Sequence, residues 1–189
     1  GGGFQNCTSG ACSFIGGGYC NKSSGFASVI GGGASNCVSN SWSSLVGGIY
    51  NCVNGGCSFI GGGSYNNLGQ SSDNSFIGSG ICNNISSNNY QTSIVGGCEN
   101  CIKGVGGLPS YPSNQSFIGG GSKNLINCAI NSSIVGGTLN TASSAFSFIG
   151  GGCTNKISSR FSCLHFIGGG TNNTISSDYC TNSIVGGSS

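Results

Sequence analysis

Ser58-Phe59-Ile60-Gly61-Gly62-Gly63-Ser64-Tyr65-Asn66-Asn67-Leu68 decides how this chain folds, because the chain keeps repeating it. The skeleton is Ser, two apolar residues, two or three glycines, two variable residues, Asn, one variable residue and an aliphatic. Copies start at Ser13, Ser28, Ser44, Ser58, Ser75, Ser93, Ser116, Ser133, Ser147, His165 and Ser183, and Gly1 to Asn6 reads as the tail of another. Over ten intervals, residues 13 to 183 give a mean period of 17. Self-similarity at a short, nearly fixed period is the signature of a solenoid.

The second apolar position reads Ile15, Ile30, Val46, Ile60, Ile77, Val95, Ile118, Val135, Ile149, Ile167 and Val185. Every member is β-branched, the shape that suits a pleated sheet. The position before it reads Phe14, Val29, Leu45, Phe59, Phe76, Ile94, Phe117, Ile134, Phe148, Phe166 and Ile184. Neighbours on a strand face opposite ways, so this alignment makes both faces apolar in every copy. The first set is expected to fill the coil. The second is an expected outer column, with Phe14, Phe59, Phe76, Phe117, Phe148 and Phe166 as an assembly face.

Glycines after each strand permit a sharp corner and close approach of neighbouring coils. An Asn follows in the first ten copies, at Asn21, Asn36, Asn51, Asn66, Asn83, Asn100, Asn124, Asn140, Asn155 and Asn173. Stacked one per coil, these predict an amide ladder. Val38, Val53, Leu68, Ile85, Ile102, Ile126, Ile157 and Ile175 then supply a second inward aliphatic, with Ser23 and Ala142 as weaker members. The expected fold is all-β, a parallel β-solenoid (β-roll or β-helix) of about 11 coils and mean period 17, one domain over residues 1–189. Disorder is disfavoured because the apolar residues keep their spacing throughout. A β-sandwich would need hairpin alternation rather than one repeated motif.

Only eight residues are charged, five Lys/Arg and three Asp/Glu, a net charge of +2. That is too little and too scattered for a nucleic-acid partner. No apolar run approaches the roughly 20 residues of a membrane span. With no Met and no signal-like start, the chain reads as a processed product or a segment of a longer or polymerising repeat protein. Thirteen cysteines point to an oxidising, extracellular or surface setting. Cys37 and Cys52 each follow the repeat Asn in successive coils and are a candidate disulfide, as are Cys163 and Cys180. Cys98-Glu99-Asn100-Cys101 has CxxC spacing, but no second pair accompanies it, so a structural role is expected rather than a metal or redox one.

The copy starting at Ser93 contains an insertion, residues 103–115, with Lys103, Pro109, Tyr111 and Pro112. Its prolines cannot sit inside a ladder, so it is expected to leave the coil and to be the likeliest contact for a receptor. Sequons for N-glycosylation occur at Asn6, Asn21, Asn84, Asn114, Asn131 and Asn172. Catalytic chemistry is not expected: the acids are Asp73, Glu99 and Asp178, the one imidazole is His165, and no nucleophile–base arrangement joins them. No cofactor is implied. Ice binding is a weaker alternative, since Thr8, Thr92, Thr138, Thr141, Thr154, Thr171, Thr174 and Thr181 form no regular array.

The run Ser147 to Ile157, Ser-Phe-Ile-Gly-Gly-Gly-x-x-Asn-x-Ile, resembles the tandem repeats of bacterial, phage and large-virus fibre proteins. It is also similar to the head repeats of trimeric autotransporter adhesins, which build a left-handed parallel β-roll. The longer period, the Gly triplets, the Asn corner and the cysteines depart from the adhesin pattern. The resemblance implies a rigid extracellular rod. The outer apolar column and the open β-edges of the stack make further copies of the chain the expected partners, in an extracellular or virion-surface fibre; the alternative is an adhesin stalk or head that binds glycans or a host-surface receptor through residues 103–115.

Overall fold

A computed structural model describes residues 2–104, 113–159, 164–177 and 181–188. The chain is all-β. Two parallel sheets of eleven short strands run the length of the molecule. One runs from Cys7–Thr8 to Thr174–Ile175 and the other from Phe14–Ile15 to Asn182–Ile184, and the chain alternates between them. A third ladder of single bridges, Phe4 to Tyr19 to Ala34 and on to Ser188, follows the glycine corner. Each turn of chain is thus one coil of a parallel β-solenoid. Ladder partners are 15 residues apart in the early coils, then 17, 24, 16, 15 and 18.

Inside, each coil contributes one aliphatic from each sheet. Ile60 and Leu68, or Ile77 and Ile85, are fully buried and lie directly over their equivalents in the next coil. At roughly 1.5–3 kcal/mol per buried aliphatic, two such residues give each coil a core of about 3–6 kcal/mol before chain entropy is subtracted. Ser23 is an exception. It is buried as well, and its hydroxyl lies 2.7 Å from Ser28 Oγ.

The inward column of the second sheet differs from the sequence expectation in four copies. Leu45 pairs with Ile30 and Ile60, Ile94 with Ile77, Ile134 with Ile118, and Ile184 with Ile167. Leu45, Ile94 and Ile134 are fully buried, and Ile184 packs against the core. Val46, Val95, Val135 and Val185, expected inside, are exposed. Ser44, Ser93, Ser133 and Ser183 take the outward place that Phe59 holds elsewhere. The cause is the glycine count. In Ser44-Leu45-Val46-Gly47-Gly48 the valine occupies the place of the first glycine of a triplet, so the motif is shifted by one and every side chain changes face.

Two polar ladders line the interior. Asn66 is typical of the first. Its Nδ2 donates to Gly62 O at 2.9 Å, to Gly80 O of the next coil at 2.8 Å and to Asn51 Oδ1 at 3.1 Å. Its Oδ1 accepts the backbone N–H of Asn83 at 3.0 Å. The expected Asn ladder from Asn21 to Asn173 is therefore continuous, and Asn6 extends it by one rung. The second ladder is hydroxyl-based. Ser58 Oγ accepts the N–H of Ser75 at 3.1 Å, and Ser75 Oγ that of Thr92 at 3.3 Å. His165 occupies this place in its coil, opposite Ser147. It is buried, and neither ring nitrogen has a partner among the described residues.

Corners carry backbone strain. Besides glycines, two or three L-residues in most coils adopt left-handed φ, for example Cys20 at 53°, Trp42 at 58° and Tyr65 at 57°. Such residues cost about 1–3 kcal/mol each. What offsets the cost is ladder bonding: Tyr65 N donates to Ile49 O and Trp42 N to Phe26 O of the preceding coil, both within 3.0 Å. Strand residues donate the other way, as Phe59 N does to Ser75 O. Each coil is therefore tied to both neighbours by N–H groups of its own.

Candidate assembly face

The second sheet's outer face is assembled from positions two apart on the strand, which point the same way. In six coils these are Phe and Gly: Phe14/Gly16, Phe59/Gly61, Phe76/Gly78, Phe117/Gly119, Phe148/Gly150 and Phe166/Gly168. Val29/Gly31 follows the same plan. In the other four coils the pairs are Ser44/Val46, Ser93/Val95, Ser133/Val135 and Ser183/Val185. The Phe ring lies against its glycine: a Cβ on Gly61 would be in contact with Phe59 Cε1 at 3.4 Å, and it would run into the backbone Gly78 O of the next coil. Where serine replaces Phe, a valine stands in the place of that glycine on the same face. The outer row is thus apolar in all eleven coils, but it is drawn from two positions, and it is not the Phe/Leu/Ile column the sequence alignment suggested.

Phe59, Phe76 and Phe148 lie in one column, as expected. The rings of Phe59 and Phe76 stack with centroids 5.6 Å apart, and those of Phe148 and Phe166 at 5.3 Å. Phe76, Phe117, Phe148 and Phe166 remain a little over a third exposed, and Phe14 more than half. Among the described residues no charged side chain lies on this face: Lys22, Lys103 and Lys156 stand on the outer face of the first sheet, and Asp73, Glu99 and Lys123 on corners. The row is about 50 Å long at about 4.8 Å per coil and about 10 Å wide over three strand residues, hence on the order of 500 Å² of largely apolar surface.

Two further apolar rows follow the left-handed corners. Phe4 stacks on Tyr19 at 5.8 Å and Tyr50 on Tyr65 at 5.1 Å, with Ile49 and Ile81 exposed beside them. On the other corner Trp42 meets Phe26 edge-on at 5.2 Å. These rows lie outside the strand pattern and were not visible in the repeat. Bulky residues at a φ > 0 corner carry no sequence mark of their own.

Cys37 and Cys52 are register partners on the outer face of the first sheet, as expected, and both are thiols. All eleven described cysteines are free, so the expected disulfide framework is absent among them. The Cys163–Cys180 pairing lies outside the described residues. Cys98 sits on the bridge ladder and Cys101 on the neighbouring strand, and no three metal-ligating side chains converge among the described residues. Asp73 accepts Gly56 N at 2.6 Å, Glu99 pairs with Lys123 at 3.7 Å, and His165 is inside the coil, so these groups are not brought together.

At the insertion, Ser113 Oγ donates to Lys103 O at 2.9 Å across its base. Residues 105–112, with Tyr111, lie outside the described residues. The sequon residues are placed differently from one another. Asn21 is buried and its amide nitrogen donates to Gly17 O and Gly33 O, so a glycan there would break the ladder. Asn6 donates to Gly18 O in the same role. Asn84 stands on the outer face of the first sheet, and Asn114 Oδ1 accepts the N–H of Tyr90 at 2.7 Å. Asn131 and Asn172 are exposed. No helix among the described residues is long and apolar enough to cross a membrane. The chain matches no protein-family model and no curated protein.

Proposed function

We propose that this chain is a structural subunit of an extracellular or surface fibre, a stiff rod that associates side by side with further copies through the Phe/Val row. The observation that carries this reading is the persistence of that row through the four coils in which the Phe is lost. A surface free to vary would not restore its apolar bulk from a second position each time. Contiguous apolar patches of several hundred Å² mark interaction surfaces in soluble proteins.

A second copy suits the row better than an unrelated partner, because it presents the same flat, uncharged surface at the same coil spacing. Pairing two rows would bury on the order of 1,000 Å² in total, the lower bound for a specific interface. All the rings but Phe14, which is just over half exposed, are already more than half covered, so each Phe gains about 1 kcal/mol on burial, about 12 kcal/mol for the twelve rings of two paired rows. That is no larger than the entropy of association, about 4–15 kcal/mol. One pair of rows is therefore weak, and association should strengthen steeply with the number of coils and of chains. The ladder has no intrinsic length, since any coil with the same motif extends it.

Negative-stain electron microscopy with and without reductant tests the proposal. Rods or laterally bundled filaments are expected in both conditions, because neither the stack nor the row depends on a disulfide. Discrete small globular particles in both would overturn it. Thermal hysteresis is expected to be absent.

A further inference from the structure

The outer face of the first sheet bears a second, independent feature. Along it the ladder reads Lys22, Cys37, Cys52 and Asn67, in register on adjacent strands. Ladder bonds fix both cysteines, Cys37 N to Asn51 O and Cys52 N to Asn66 O, each at 2.9 Å. Two residues on, and so on the same face, stand Ser39 and Asn54. Asn54 Oδ1 accepts Ser39 Oγ at 2.6 Å and Cys52 Sγ at 3.4 Å. On this face a polar cavity of about 470 Å³ is lined by Ser39, Asn40, Asn54 and Gln70, and meets the pair through Asn54, the partner of Cys52 Sγ. Its size lies within the range of small-molecule sites.

The two thiols differ electrostatically. The neighbouring Cys52 thiol, and after it the Lys22 ammonium, act against burial to lower the Cys37 thiol to about 6. Cys52 is pushed far up, first by the adjoining Cys37 and then by burial. The pair therefore holds one proton at neutral pH, on Cys52, with Cys37 as thiolate. Cys101 occupies the same ladder position beside Asn84, without a second thiol, and burial raises it.

We infer that Cys37 and Cys52 are a reversible dithiol–disulfide pair that exchanges with low-molecular-weight disulfides entering from the Ser39/Asn54/Gln70 cavity. Cys37 thiolate attacks a sulfur of RS–SR, forming Cys37–S–S–R and expelling RS⁻. Loss of the Cys37 negative charge removes what held the Cys52 proton. Cys52 then releases that proton to the departing thiolate or solvent and attacks Cys37 Sγ, expelling the second RS⁻. Two protein thiols and one small disulfide become one cross-coil disulfide and two small thiols, so protons and electrons balance.

Strand geometry makes the bond reversible. In-register parallel strands lie about 4.8 Å apart, within the Cα range of a disulfide but wider than its usual Cβ separation of about 3.8 Å. The strands must pinch together to close the bond, and strained disulfides are the more easily reduced.

The test uses the whole chain, fully reduced, with iodoacetamide and 2-hydroxyethyl disulfide as probes. At pH 6 Cys37 is half ionised, while Cys101, whose thiol burial pushes up, is almost wholly protonated. Even allowing for the weaker nucleophilicity of the more acidic thiol, Cys37 should be alkylated at least about tenfold faster than Cys101. With 2-hydroxyethyl disulfide, the first product mapped by peptide mass spectrometry should be Cys37–Cys52, with two equivalents of small thiol released. Cys52→Thr, a residue the ladder already accepts at Thr141, should stop at the mixed disulfide on Cys37 and release one equivalent. Alkylation of Cys37 no faster than of Cys101 at pH 6, or wild-type protein that halts at the mixed disulfide, would overturn the proposal. Should the variant misfold, these two wild-type readouts decide alone.

Discussion

Replacing Asn66 by Ala is the sharpest probe of what holds the coils together. The side chain is fully buried, and its removal leaves the N–H of Asn83 without its acceptor. An orphaned buried donor costs about 1–3 kcal/mol. The amide nitrogen also loses its bonds to Gly62 O and Gly80 O. Gly80 O keeps the N–H of Ser64, so these losses are ordinary ones of about 1 kcal/mol each. The total is about 3–5 kcal/mol, concentrated at one junction between coils, as nearest-neighbour stability in a solenoid requires. The adjacent Asn67→Ala is the control: that side chain is outward and bonds only Asn84 Oδ1, at 2.8 Å, so the cost should stay below about 1 kcal/mol. Urea unfolding followed by circular dichroism gives both numbers, and hydrogen exchange of the Asn83 amide locates the damage. Equal destabilisation by the two substitutions, within about 0.5 kcal/mol, would refute the ladder as the source of cohesion.

Other outcomes follow from the same geometry. Gly80 has φ +110° and a Cβ there would run into Gly97 O of the next coil, whereas a Cβ on Gly136 meets nothing within 4 Å. Gly80→Ala should therefore cost at least about 3 kcal/mol in thermal or urea unfolding and Gly136→Ala at most about 0.5 kcal/mol. A Cβ on Gly61 would run into Gly78 O of the next coil, so Gly61→Val should cost at least about 3 kcal/mol, and adding Phe59→Ser should not restore it in a double-mutant cycle. Burial without a partner lowers the His165 pKa. Below about pH 6.5 the unfolded chain binds a proton that the folded chain refuses, so stability falls with pH through that value and levels off under the folded pKa. His165→Ser, which restores the hydroxyl rung, should abolish that contribution to the pH slope of unfolding.

The solenoid, the Asn ladder and the Cys37–Cys52 adjacency were legible because each depends on one residue type returning at the coil period. Asn does so since a buried amide that both donates and accepts along a stack has no substitute of its size. The face of Leu45, Ile94, Ile134 and Ile184 was misread for a related reason. Aligning copies by their first glycine treats Val46 as equivalent to Ile60, although the ladder spacing of 15 from Ile30 picks out Leu45. The place of the last glycine would have exposed the shift, because every copy with Gly-Gly where the others have Gly-x-Gly carries Ser two residues before a Val. The corner aromatics left no such trace. Left-handed φ at Trp42, Tyr50 and Tyr65 is imposed by bonds to the preceding coil, and those positions elsewhere hold Cys57, Ser35 and Glu99. Thirteen cysteines suggested cross-links, yet the stack sets most of them apart, on different rows.

Sedimentation equilibrium of the wild-type chain against the triple variant Phe59→Ser, Phe76→Ser, Phe148→Ser tests the assembly account most directly. Serine already occupies this strand position in four coils, so circular dichroism should report an intact stack in both. Concentration-dependent association of the wild type, weakened at least tenfold in the variant, is the predicted result. Identical behaviour of the two proteins, whether both monomeric or both associated, would contradict it.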